Sequence, residues 1–295
     1  MKIYVQLFVV IFCTYYLRSQ TTLNTPALKP DTIFIELSDD NVILLDGLLN
    51  DEDSIKLMFH MAANDMTIIT TAAQACESIS WEESHDVHSW GGKSQSRYSE
   101  SNKLSIGHLD WSEIPIWENT QSGKGSEGKI GPKLFSDRYL EIDFEEGIIV
   151  LHFQEPDIPP TMVQIQLDYE NGFMFIPATV VIDSIHVDDK FLIHTGYSKS
   201  LLLDDSFVAS NSLSEYLEVS SESELKDSFG NILKIKNALL PQFQIGTVSF
   251  DDVEVSFFEG AINRQKMNVL GTDILKQFHL IISADRKSIY LEERS

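Results

Sequence analysis

The chain has 295 residues, 43% of them hydrophobic and 23% charged, which is enough apolar matter for a packed core and too much for disorder. A net charge of −23 argues against nucleic acid or anionic lipid as partner, because both are gripped by clustered Lys and Arg. The only cysteines are Cys13 and Cys76, so a disulfide framework is not what holds the chain together.

The first elements in chain order describe an export signal. Lys2 precedes an apolar run from Ile3 to Leu17, then Arg18-Ser19-Gln20, with no acidic residue in the first thirty. A positive start, a short apolar stretch and a small residue at its end are the marks of a cleaved secretory leader. The run is shorter than the ~18 residues that span a bilayer. Residues 1–19 are therefore expected to be removed, with the mature protein secreted, periplasmic or held in the cell envelope. Cleavage takes away Lys2 and Arg18 and no acid, leaving a more acidic chain that is expected to be a monomer.

From Asp31 onward short alternating runs separated by polar turns predict strands. They include Thr32–Leu37, Ile55–Phe59, Leu140–Phe144, Val163–Leu167 and Val253–Phe257. Asp204–Leu213 and Asp273–Phe278 are the segments that suit short helices, with Asp204 and Asp205 as caps. Tryptophans at 81, 90, 111 and 117, with Tyr98, crowd the first half and are expected to pack its core; the rival reading is a cleft wall. Cys76 reads as a small buried hydrophobe. Ser122–Gly128 reads as an exposed loop, since it lacks the spacing of a phosphate cradle.

The sequence repeats. Residues 129–151 lie on 269–291 without a gap: Ile130-Gly131 on Leu270-Gly271, Leu140 and Ile142 on Leu280 and Ile282, Ile149 and Leu151 on Ile289 and Leu291. Upstream, Phe59-His60-Met61-Ala62-Ala63-Asn64 lies on Ile193-His194-Thr195-Gly196-Tyr197-Ser198. Two similar halves are expected, 31–157 and 158–295, joined across Pro156–Pro160.

These motifs resemble the aspartic peptidases, whose halves each carry two apolar residues, Asp, Thr or Ser, and Gly, and later two apolar residues and Gly before a short helix. Phe191-Leu-Ile-His-Thr-Gly196 resembles the first motif, with His194 at the aspartate position, and Val269-Leu270-Gly271 resembles the second. Met58-Phe59-His60-Met61-Ala62 is a weaker copy, in which His60 holds the aspartate position and Ala62 that of the glycine. Lys129-Ile130-Gly131 answers the second motif with Lys129 at a normally apolar position. The likeness is closest to exported retropepsin-like proteins with two fused halves, to which Trp90-Gly91-Gly92 and Phe257–Ala261 are also similar. It implies an all-β fold of two β-barrel lobes related by a pseudo-two-fold, with few short helices. It also implies that Thr195 hydrogen-bonds across the junction between the halves.

The resemblance fixes what the substitution removes. In the working family two carboxylates about 3 Å apart share one proton and activate a water between them. Two imidazoles are wider, offer one lone pair each when neutral, and repel when both are protonated. No acid nearby is expected to stand in: Asp65, Asp188 and Asp189 point elsewhere on this topology. The expectation is a catalytically inactive exported protein, without a cofactor, that holds an extended peptide between its lobes. The alternative is a hydrolase, a weak or metal-assisted peptidase using His60 and His194, with His85 and His88 from the segment expected to cover the cleft.

Overall fold

A computed structural model describes residues 29–89, 92–230, 232–258 and 267–294. Residues 1–28, where the export signal is expected, Trp90, Gly91 and residues 259–261 lie outside the described residues, as does the side chain of His88.

The first half contributes β1 (Asp31–Phe34), β2 (Glu36–Leu37), β3 (Ile43–Leu49), β4 (Asp53–Phe59) and β5 (Met66–Ile69), then a one-and-a-half-turn helix, α1 (Thr70–Ala75). There follow β6 (Ser84–Ser89), β7 (Gly92–Ile106), β8 (Leu109–Asn119), β9 (Gly128–Ile130), a 3₁₀ turn at Pro132–Phe135, β10 (Tyr139–Asp143) and β11 (Ile148–His152). The second half contributes β12 (Val163–Gln166), β13 (Asp168–Glu170), β14 (Phe173–Ile182), β15 (Ile185–Ile193), β16 (Leu201–Leu203) and α2 (Asp205–Ser210). It ends with β17 (Val219–Lys226), β18 (Ile232–Ile245), β19 (Val248–Phe257), β20 (Asn268–Leu270), α3 (Thr272–Leu275), β21 (Phe278–Ile282) and β22 (Ser288–Glu293). Both expected helices are present, and Asp204 caps α2 by accepting from the Phe207 N–H. No helix among the described residues is long and apolar enough to cross a membrane.

The protein is all-β in character. One eight-stranded sheet runs β2-β3-β4-β9-β5-β8-β7-β6, and the extra pairing of β3 with β7 closes its middle six strands into a barrel. The other runs β13-β14-β15-β20-β16-β19-β18-β17, closed in the same way by β14 with β18. The second order repeats the first strand for strand. A six-stranded antiparallel sheet, β1-β11-β10-β21-β22-β12, takes three strands from each half. At its seam Leu140 pairs with Ile282 and Ile142 with Leu280, all fully buried.

The apolar alternation explains these elements. In β10 Leu140 and Ile142 face inward while Tyr139, Glu141 and Asp143 keep contact with solvent. The central strands β16 and β20 are buried at every residue, because each lies between neighbours inside a closed barrel. Two glycines permit the crossing of chain segments at the barrel ends. A Cβ on Gly131 would stand 1.7 Å from the Ala63 carbonyl oxygen, and one on Gly271 would stand 1.9 Å from that of Lys199.

Candidate functional site

The loops that leave β4 and β15 carry the two histidines. β9 lies between β4 and β5, parallel to the first and antiparallel to the second, so the chain after Phe59 must wrap around the end of β9. His60 donates its N–H to the Ile130 carbonyl at 2.8 Å and accepts from the Ala63 N–H at 2.9 Å. His194 repeats this with Leu270 at 3.0 Å and Tyr197 at 3.1 Å. The two rings meet with centroids 4.4 Å apart and planes at 58°.

Thr195 locks the loops together. Its hydroxyl donates to the Phe59 carbonyl at 2.7 Å and accepts from the Met61 N–H at 2.8 Å, 134 residues away in sequence. The grip is one-sided, since Met61 stands where the first half would need a hydroxyl to return it. Gly196 is required by its neighbour: a Cβ there would lie 2.2 Å from His60 Nε2. Ala62, at the position of the motif glycine, has no positive φ, and its N–H donates to His60 Nδ1 at 3.1 Å. That bond leaves the proton of neutral His60 on Nε2.

The electrostatics keep both rings neutral. Burial holds His60 well below the ordinary imidazole range, with further repulsion from His194 and Lys129. Burial lowers His194 to about 4, and the charge of Lys129 works in the same direction. His194 Nδ1 is buried without a hydrogen-bond partner among the described residues.

The pair lies in a cleft of about 620 Å³ that also takes in Met58, Lys129, Leu202, Asp227, Ser228 and Val269. Sequence reasoning missed the hairpin that supplies Asp227 and Ser228. The turn after β17 reaches the first half, where the N–H groups of Thr120 and Gln121 donate to the Ser228 carbonyl at 3.0 and 3.1 Å. No local motif announces this contact, because both partners sit in polar turns.

Of the segment expected to cover the cleft, none of the described residues lines it. His85 is exposed on β6, its ring 5.9 Å from Tyr98 and 5.7 Å from Trp117, and it does not join His60 and His194. Among the described residues no group of three or more His, Cys, Asp or Glu side chains has an arrangement that could hold a metal ion. The three nearby acids have partners elsewhere: Asp65 with Lys133, Asp188 with Thr179, and Asp189 with Asn268. Trp81, Tyr98, Trp111 and Trp117 pack within the first half rather than walling the cleft. Arg97 covers Trp81, Tyr98 meets Trp117 at 4.6 Å, and Trp111 meets Phe135 at 5.7 Å. Cys76 is a half-buried free thiol that burial pushes up to about 11. The Ser122–Gly128 loop is less open than expected, with Ser126 buried and Ser122 and Gly123 in the cleft wall.

As chemistry, the site offers two neutral imidazoles, the amines of Lys129 and Lys226 and the carboxylate of Asp227 in a shared cleft, and no carboxylate pair among the described residues. No family model matches this chain, and no curated protein matches its sequence.

Proposed function

We propose that the chain is an exported, catalytically inactive relative of the aspartic peptidases, which holds an extended peptide in the cleft between two lobes related by a pseudo-two-fold. The observation that carries this reading is the meeting of His60 and His194 at the same point of a repeated strand order, ring centroids 4.4 Å apart. The grip of Thr195 on the opposite loop supports it. A dyad mechanism needs one ionised and one protonated carboxyl with a water between them. Two desolvated imidazoles with lowered basicity do not share a proton in that way, and the backbone N–H of Ala62 that would face a carboxylate is occupied by His60 Nδ1. What survives is the cleft itself, where strand ends and turns offer backbone groups to an extended chain.

The test is a pool of randomised peptides presented to the wild-type protein and to Ala62→Phe, which fills the cleft beside His60. Bound peptides are identified by mass spectrometry, and cleavage is followed between pH 3 and 7. The expected result is retention by the wild type alone, without cleavage. Pepstatin-sensitive cleavage would refute inactivity, and equal retention by the folded variant would refute the cleft as the peptide site.

A further inference from the structure

Lys129 stands where the second half has Val269, and Val269 is buried among apolar neighbours in the same cleft. On β9 it is in register with Met58 of β4, two residues before His60, so its side chain rises on the face that carries that histidine. Its ammonium donates to a hydroxyl, Ser228 Oγ at 2.8 Å, rather than to a carboxylate. A lysine placed inside a cleft against two imidazoles is costly to bury and serves no packing purpose that valine would not serve better. Burial lowers it to about 8, with Asp227 only partly opposing. Neither the peptide-holding reading nor the lost dyad uses this amine.

We propose that Lys129 is a reactive amine that captures small aldehydes or ketones in the cleft as an imine. The neutral amine attacks the carbonyl carbon, so a C–N bond forms while the carbonyl π pair moves to oxygen. The nitrogen then gives up a proton to the neutral imidazole of His194, which passes it to the alkoxide oxygen and so makes the hydroxyl of a neutral carbinolamine. A second proton, taken from solvent, lets the hydroxyl leave as water while the nitrogen lone pair closes the C=N bond; the iminium returns its N–H proton to solvent, and no oxidant or reductant is consumed. At pH 7.5 about a quarter of such an amine is unprotonated, against about one in a thousand for an ordinary lysine. The lower intrinsic nucleophilicity of a weaker base takes back part of that advantage, leaving an expected selectivity of at least about tenfold.

The experiment uses the wild-type protein with propanal and sodium cyanoborohydride at pH 7.5, short exposure, and tandem mass spectrometry of each lysine. Lys129 should gain its propyl group at least tenfold faster than the exposed Lys199 and Lys287. Its rate should level off above about pH 8, whereas theirs should keep rising. Labelling of Lys129 no faster than those two lysines overturns the proposal. A His194→Gln variant that melts as a folded protein should label Lys129 at least tenfold more slowly, and an unchanged rate overturns the part given to the imidazole. None of these readouts involves peptide retention, so the result stands or falls apart from the peptide-holding reading.

Discussion

The desolvated histidine pair should make the protein acid-labile in a way that a single substitution removes. His194 titrates near 4 when folded, against about 6.5 for a free imidazole. A base whose folded value is depressed costs nothing above the unfolded value. Below it the unfolded chain takes up a proton that the folded chain refuses, and stability falls until the folded value is reached. At pH 5 a free imidazole is almost fully protonated and His194 about one-tenth protonated. Linkage then puts the loss at about 2 kcal/mol, against almost nothing at pH 7. Replacing His194 with Gln removes this term and also relieves His60, whose basicity is lowered in part by His194. His279 is raised by its bond to Glu141, so its contribution is full at low pH and fades as pH rises. It is present in both proteins and cancels in their comparison. Urea unfolding of wild type and His194→Gln at pH 7 and pH 5, at fixed ionic strength, gives four stabilities. The variant should gain on the wild type by about 2 kcal/mol on going from pH 7 to pH 5. A gap that stays constant within about 0.5 kcal/mol would falsify the claim that the ring is held neutral by burial.

Two other outcomes follow from the packing of the loops. Thr195→Val should cost about 2–4 kcal/mol in chemical denaturation, because the buried Met61 N–H and Phe59 carbonyl lose the cross-half partner that the hydroxyl supplies, while Thr195→Ser should cost under about 1 kcal/mol. Equal losses for the two variants would show that the methyl, not the hydroxyl, matters. Gly271→Ala should cost about 3 kcal/mol or more, since its Cβ meets backbone oxygens of Lys199 and Tyr197 at 1.9 and 2.5 Å. Gly107→Ala has open space around it and only a positive φ to oppose it, so about 1 kcal/mol is expected. Thermal melts that rank these two glycines the other way would contradict the close approach at the barrel end.

Much of the frame is legible in the linear chain because it depends on periodic burial. Alternation in Leu140–Phe144 or Val253–Phe257 must place one face inward, and the repeat of 129–151 in 269–291 marks two segments that fold by the same rule. The glycines at 131 and 271 were visible as motif positions, and their reason, a carbonyl oxygen where a Cβ would stand, is a tertiary distance. The histidines were visible as residues, but their neutrality comes from burial and mutual repulsion that no spacing encodes. In sequence Arg286 stands between Asp285 and Lys287, in a polar stretch. It is in fact buried, and its guanidinium reaches across to the carbonyls of Arg138, Pro132 and Phe135 at the end of the first half's 3₁₀ turn. His85 lies exposed on β6, the edge strand of its sheet, beside Trp117, a placement that no local spacing announces. The amino-acid order alone determined which residues alternate, repeat and turn, since those depend on neighbours along the chain. Which distant groups meet, and so which histidine, lysine or arginine loses its water, was decided only when the barrels closed and the turn at Ser228 came to rest on Thr120 and Gln121.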